Sequence, residues 1–316
     1  MSEATKNAIR FSIIVPTYNS AATLLLTLES IRDQQWPNTE VLVIDGASKD
    51  RTLEIVKSFH GHGLELVVVS EPDKGIYDAI NKGIARASGD LICVIGSDDR
   101  LAAGALRAVS NAWLANRSDI VAGEALLESP DGTSSKRVDE KYGPGALVSG
   151  IPFCHNSMYV TPDAYKRVGG YNLNYKICAD AEWTHRSISA GCTCTRIDQV
   201  LVHFSLSGTS SSNDDLIMAE TYSVIAGNFP GLSIEDAEIL FKAVRRWTDD
   251  RQTLAVLGRH SSNEALAEAV ETGLRPVSTL KISDALVATP VCVNTSLTAR
   301  ALRKILRLFR SRFASN

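Results

Sequence analysis

The sequence predicts an α/β protein: a mostly parallel sheet with helices on both faces, followed by a helical C-terminal region. Two patterns carry this expectation. Through the first 130 residues or so, short apolar β-rich runs alternate with helical periodicity, and repeated β-α-β alternation gives parallel strands joined by right-handed crossovers. From residue 216 to 272 only the helical pattern remains.

Phe11 to Val15 reads as a strand and Ala21 to Gln35 as an amphipathic helix. Glu40 to Ile44 is the next strand, with a helix from Asp50 to Phe59, and Leu64 to Val69 is the third strand. Gly75 to Ala87 carries Ile76, Ala79, Ile80, Ile84 and Ala87 on one helical face. Leu91 to Ile95 lacks polar alternation, as a strand buried on both faces does. Leu101 to Leu114 is helical. Residues 129 to 150 are rich in Gly, Pro, Ser, Asp and Lys and read as an excursion. Met158 to Thr161, helices near Asp163 to Arg167 and from Asp180 to Ala190, and a strand from Thr195 to Val202 complete this half. A Ser/Gly/Asn-rich loop follows from Ser205 to Asp214. Two domains are expected, residues 9–215 and 216–316.

With 316 residues, 44% of them hydrophobic, the chain can bury a substantial core. A net charge of −3 gives no overall attraction to nucleic acid. Six cysteines form no CxxC pair, so reduced thiols and a cytoplasmic body are expected. The polar start and the lack of a long apolar run argue against a signal peptide and a membrane span. Residues 299–315 place Leu302, Ile305, Leu306, Phe309 and Phe313 on one helical face and Arg303, Lys304, Arg307 and Arg310 on the other. Such a helix either lies on an anionic membrane surface, making the protein peripheral on its inner face, or docks on the body with its basic face in water.

Ligands of open parallel sheets sit beyond the carboxyl ends of the strands. Four loops there are polar: Pro16-Thr17-Tyr18-Asn19, Asp45 to Asp50, Glu71 to Gly75, and Gly96-Ser97-Asp98-Asp99. Helix capping accounts for Ser20, Ser48 or Asp50. It does not account for Asp98 and Asp99, whose like charges repel unless a cation stands beside them. Magnesium or manganese suits such a pair together with substrate phosphates. No G-x-G-x-x-G follows the first strand, and no Walker motif or basic Gly-rich loop is present, which disfavours a dehydrogenase, a nucleotide hydrolase and a nucleotidyltransferase.

FSIIVPTYN, VLVIDGASKDRT, EPDKGIYDAINKGIARASGD and VIGSDD, in this order, resemble glycosyltransferase family 2, the inverting GT-A-fold enzymes. The resemblance continues through PFCHNSMYV and GGYNLNYKICADAEWTHR to about residue 210, and is similar to the colanic-acid-type branch of bacterial polysaccharide transferases. It implies that Pro16, Thr17 and Tyr18, with Asn19 and Asp73 nearby, line the nucleotide site, and that Asp45 hydrogen-bonds the base. Asp98 would sit at the ribose and diphosphate, and Asp99 would ligate a divalent metal (Mn or Mg), with His203 as a further metal or diphosphate contact. Asp180 would be the catalytic base, with Glu182 as its rival and a helix N-cap as the competing role. His155 and Asn156 would line the sugar or acceptor pocket, and Trp183 either stacks on a sugar or packs in the core. The implied reaction is inverting transfer from a nucleotide-diphospho-sugar, a UDP-sugar first, to a saccharide or lipid-linked acceptor in bacterial surface-polysaccharide biosynthesis. Ser97 and Ala179 stand where the family carries acids, which keeps a silent nucleotide-sugar-binding module as the alternative.

Overall fold

The computed structural model describes residues 9–59, 63–208, 213–248 and 250–274. The chain divides into two compact units. One runs to Glu140 and adds Phe153–Ile217; the other combines Lys141–Pro152 with the chain from Met218 onward. Residues 299–315 lie outside the described residues.

In the first unit, β1 (Phe11–Thr17), β2 (Thr39–Asp45), β3 (Glu65–Ser70) and β4 (Leu91–Val94) are parallel in the order β3-β2-β1-β4. Every residue of β1, β2 and β4 is buried, while β3 is partly exposed because it is the sheet edge. Helices α1 (Leu24–Arg32), α2 (Thr52–Ser58) and α3 (Ile76–Ile84) connect these strands. Phe11, Ile13, Val15, Val41, Val43 and Leu91 form the heart of the core.

Beyond β4 the sheet becomes mixed. β8 (Met158–Val160) pairs antiparallel with β4, β6 (Ile120–Glu128) antiparallel with β8, and β9 (Cys194–Ser205) parallel with β6. β5 (Arg100–Leu101) closes the order against β9, and β7 (Ser134–Lys136) hangs on β6. The helix expected from Leu101 therefore begins later, as α4 (Ala105–Asn116), because Arg100 and Leu101 are spent on the ladder to His203 and Val202. β6 was not anticipated, and part of the predicted 129–150 loop is strand β7 and a 3-10 turn, Pro144–Val148. Helices α5 (Pro162–Val168) and α6 (Ala179–Ser189) complete the unit. Thr161 caps α5, accepting from the Ala164 amide at 3.3 Å, with Pro162 at the first helical position.

The buried face of α3 is rotated from the one expected. Ile76 is exposed, whereas Tyr77, Ala79, Ile80 and Gly83 are buried. Gly83 explains the rotation: a Cβ there would lie 2.6 Å from Ile14 Cγ2, so the helix seats its glycine directly on β1.

The second unit holds α7 (Asp214–Gly227, which begins in the first), α8 (Ile234–Arg245), α9 (Asp250–Arg259) and α10 (Glu264–Gly273). Here Arg245 stacks 3.7 Å over Phe241 and donates to the Ser149 carbonyl, and Asn228 donates to the Leu147 carbonyl at 2.9 Å. Residues 141–152 are thereby tied to α7 and α8. Among the described residues no helix is long and apolar enough to cross a membrane.

At the amino end of the parallel strands, buried Glu40 accepts from Ser12 Oγ, Ser88 N (2.7 Å) and Arg10 Nη2 (3.2 Å). Gly89 donates to Ser12 Oγ at 2.8 Å, and a Cβ on it would stand 2.6 Å from the Ser12 amide nitrogen. Backbone cannot move aside cheaply, so Gly89→Ala should destabilise the fold by about 1–3 kcal/mol. A lowered urea midpoint checks this, with Gly258→Ala as the control, since nothing lies within 4 Å of its Cβ position. Equal midpoints for the two variants would contradict the close approach.

Candidate active site

The carboxyl ends of β1, β2 and β4 converge on a set of interlocked loops. Asp45 ends β2 fully buried, and its carboxylate accepts from Thr17 Oγ1 (3.4 Å), Ser48 N (3.0 Å), Ser48 Oγ and Ser70 Oγ (2.6 Å). It binds three strand ends together. Pro16 and Thr17 likewise belong to buried β1, and Asn19, at φ 51°, uses Oδ1 to accept from Lys49 N at 2.8 Å. Of the expected nucleotide wall, Tyr18 presents its ring, 64% exposed. Beside it stands Asp73: Oδ1 accepts from Gly75 N at 2.9 Å, and Oδ2 lies where a Cβ on Gly46 would be 2.5 Å away. Gly46 stands between Tyr18 and Asp73, since its Cβ position is also 3.4 Å from the Tyr18 ring.

Beyond β4, Ser97 Oγ shares a 2.8 Å hydrogen bond with Ser20 Oγ, tying this loop to the one after β1. Asp99 is 2% exposed. Its Oδ1 accepts from Ser205 N at 2.7 Å and its Oδ2 from Asn156 Nδ2, while its carbonyl accepts from Thr27 Oγ1 at 2.7 Å. Burial, and next the charge of Asp98, push the Asp99 carboxyl up to about 7. Burial raises Asp98 as well. Asp98 has no donor from another described side chain, and Gly208 passes so close that a Cβ there would be 3.0 Å from Asp98 Oδ2.

His203, expected as a further metal or diphosphate contact, lies across from Arg100, the residue after Asp99. Its Nδ1 pairs with Glu128 at 2.8 Å, and Glu128 also binds Arg100, across the ladder from His203. Among the described residues no group of three His, Cys, Asp or Glu side chains could hold a metal ion.

Asp180 lies in the first turn of α6, where Cys178, not Asp180, is the N-cap. Its Oδ1 accepts from Ala181 N at 2.8 Å and stands 3.2 Å from Tyr77 Oη. Glu182 forms a two-point ion pair with Arg186 Nε and Nη2 (2.7 and 2.9 Å); Nη1 of the same guanidinium donates to the Val168 carbonyl, and Nη2 also to the Gly170 carbonyl. Glu182 therefore braces the α5–α6 connection and is no rival base. Trp183 is fully buried, donates to the Gly169 carbonyl at 2.7 Å and packs on Tyr165 and Tyr171, so it cannot stack on a sugar. His155 Nε2 shares a 2.7 Å hydrogen bond with Tyr171 Oη, and burial holds its imidazole below the ordinary value.

The turn Cys154-His155-Asn156 lies near both acidic centres. Asn156 holds Asp99, and the Cys154 thiol feels the charge of both Asp99 and Asp180. Sequence reasoning missed Tyr77, Tyr171, Ser70 and the Ser205 amide. Tyr77 stood inside the GIYDAINKGI motif, but the helical face assigned there passed it by; a backbone amide carries no sequence signal.

A raised carboxyl binds its proton more tightly in the folded state. The stability linked to that proton is full below the unfolded value near 4 and is lost as pH rises through about 7. The thermal midpoint of the ligand-free protein should fall over pH 4 to 7 more steeply than that of Asp99→Asn. Parallel curves would rule out the burial of a titrating Asp99.

The sequence matches the family model for glycosyl transferase family 2 over residues 12–171. It is 32% identical over 195 residues to a Mycobacterium tuberculosis PGL/p-HBAD biosynthesis glycosyltransferase, covering 61% of this chain and 75% of that protein. Among solved structures, TarS of S. aureus in complex with UDP-GlcNAc superposes with a TM-score of 0.61 at 18% identity, covering 97% of this chain and 91% of that one. A mannosyltransferase from Pyrobaculum calidifontis in complex with GDP-Man and Mn2+ gives a TM-score of 0.51 at 16% identity, covering 99% of this chain and 77% of that one. A Rossmann-like parallel half-sheet carrying an acidic pair at the end of β4, continued by a mixed half-sheet, is the GT-A architecture, and the chain belongs to glycosyltransferase family 2.

Proposed function

We propose that the protein transfers a sugar from a nucleotide-diphospho-sugar, a UDP-sugar first, to a hydroxyl of a saccharide or lipid-linked acceptor, inverting the anomeric centre. The observation that carries this reading is the Cys154-His155-Asn156 turn, in which Asn156 holds Asp99 while the charge of Asp180 bears on Cys154 and His155; on this reading Asp99 serves the diphosphate and Asp180 the acceptor. The TarS complex with UDP-GlcNAc supports a UDP-sugar donor, and the mycobacterial relative, a biosynthetic glycosyltransferase, supports sugar transfer to an acceptor. The basic amphipathic pattern at 299–315 fits a lipid-linked acceptor, because membrane docking raises its local concentration.

Tyr18 offers a face for the base, and Asp73 Oδ2 an acceptor for an N–H on its edge. Asp98 and Asp99 suit a magnesium or manganese ion: Asp98 lacks a donor from any other described side chain, and each Asp99 oxygen has one donor, leaving a lone pair free. When bound, such an ion supplies Lewis-acid neutralisation of the diphosphate. With no third chain ligand beside them among the described residues, diphosphate oxygens and water would complete the shell. Asp180 takes the proton of the acceptor hydroxyl on Oδ2 as that oxygen attacks the anomeric carbon. The bond to the diphosphate breaks on the opposite face, and the nucleoside diphosphate leaves with the electron pair. One displacement inverts the centre without a covalent intermediate.

Release of nucleoside diphosphate across a panel of UDP-, GDP- and dTDP-sugars with manganese tests the reading. Asp180→Asn should lower kcat by about 10²–10⁴-fold while UDP still binds. Asp98→Ala should weaken UDP binding in manganese more than in chelator. UDP binding with no release from any donor would favour the silent binding module.

A further inference from the structure

We infer that Tyr77 is the positioning residue of Asp180, a hydroxyl that moves its single proton between two acceptors as Asp180 changes charge. This inference rests on Asp180 as the base of the transfer reaction.

The phenol oxygen of Tyr77 sits between two acceptors, the Ile177 carbonyl, which it contacts closely, and Asp180 Oδ1 at 3.2 Å. A tyrosine has one proton to donate, so it cannot serve both at once. It cannot resolve the conflict by ionising: burial, with the Asp180 charge beside it, holds its hydroxyl well above the ordinary value, and the proton stays on oxygen. The ring is also fixed. Tyr77 is buried on α3, stacks on Tyr171 with centroids 5.6 Å apart, and is anchored one turn on, where Asn81 binds the Tyr171 backbone through both its amide nitrogen (2.9 Å) and its oxygen (2.8 Å). Only the O–H torsion is left free.

The charge of Asp180 decides that torsion. An ionised carboxylate is a stronger acceptor than a backbone carbonyl, so before attack the Tyr77 proton points to Oδ1. Ala181 N also donates to Oδ1, and no described residue donates to Oδ2. Oδ2 is therefore the oxygen turned to the acceptor hydroxyl. Once Oδ2 has taken the acceptor's proton, Oδ1 is the carbonyl oxygen of a neutral acid, and the Tyr77 proton returns to Ile177. The hydroxyl holds the base ionised and oriented before transfer and withdraws afterwards. The other titratable groups facing this pair are His155, Tyr171, Cys154 and Cys178; burial favours the neutral imidazole in His155 and raises Tyr171 and Cys154. Their charges therefore do not substitute for the hydroxyl.

Full-length protein labelled at aspartate 13Cγ tests this without any substrate. The Asp180 resonance is identified by its loss in Asp180→Asn, and its titration is compared in wild type and Tyr77→Phe. Removing a donor to the charged form should move the midpoint upward; an unmoved midpoint overturns the inference. Should Tyr77→Phe not fold, labelled tyrosine 13Cζ gives the reciprocal reading. The Tyr77 resonance should shift with the Asp180 titration in wild type and stay flat in Asp180→Asn; flat in both overturns the inference. With a turned-over donor, Tyr77→Phe should lower kcat, leave the donor KM within about two-fold and shift the acid limb of the pH profile upward. A uniform loss with an unmoved limb would mark Tyr77 as merely structural. Full activity of Asp180→Asn would instead sink the base assignment while leaving the 13C coupling intact.

Discussion

The buried carboxylate of Asp99 is the constraint around which the site closes. Its two oxygens draw together the 154–156 turn through Asn156 and the end of β9 through the Ser205 amide, while the backbone carbonyl of the same residue ties in α1 through Thr27 Oγ1. It also dictates Gly96, because a Cβ there would lie 2.5 Å from Asp99 Oδ2. Neutral dipoles satisfy hydrogen bonds but do not cancel a charge, and a buried carboxylate without a counter-charge shifts toward its protonated form. Asp98 deepens the deficit. On the proposed reading, such a site is complementary to a cation travelling with the diphosphate of a nucleotide-sugar.

The parallel half of the sheet was legible because strands buried on both faces write continuous apolar runs, as in IIV, VLVI and LICV. The mixed half was legible only in part. Met158 to Thr161 and Thr195 to Val202 match β8 and β9, but β5 has only two residues, too short for any periodicity to emerge, and β6 reads IVAGEALLE, whose second half suits a helix as well as a strand. Its bulged pairing with β9 around Gly123 is a tertiary choice: a Cβ on Gly123 would meet Leu201 at 2.4 Å, so the sheet is built around the missing side chain.

In the site, residue identity was legible and depth was not. Asp45, Asp73, Asp98, Asp99 and Asp180 all attracted notice as acids at the sheet edge or helix start. Which of them meets solvent depends on what packs above them. Asp45 accepts from Ser48, Ser70 and Thr17, while Asp73 keeps an oxygen at Gly46, beside Tyr18. Trp183 shows the same limit, since a spacing of one turn from Asp180 puts it near the site but cannot say that Tyr165 and Tyr171 cover it.

Depth also separates the roles of the two principal acids. A carboxyl near 7 is often the mark of a general base at neutral pH, and by that criterion alone Asp99 would be chosen. Geometry overrules it. Both its oxygens already accept from donors of the chain and Asp98 stands beside it, so on the proposed reading its remaining lone pairs serve a cation rather than an acceptor hydroxyl. Asp180 is the reverse case, with one oxygen held by Ala181 N within reach of Tyr77 and the other unclaimed among the described residues. The environment that raises Asp99 is the environment of a charge waiting for a counter-charge, and the one around Asp180 is that of a carboxylate held open to a proton.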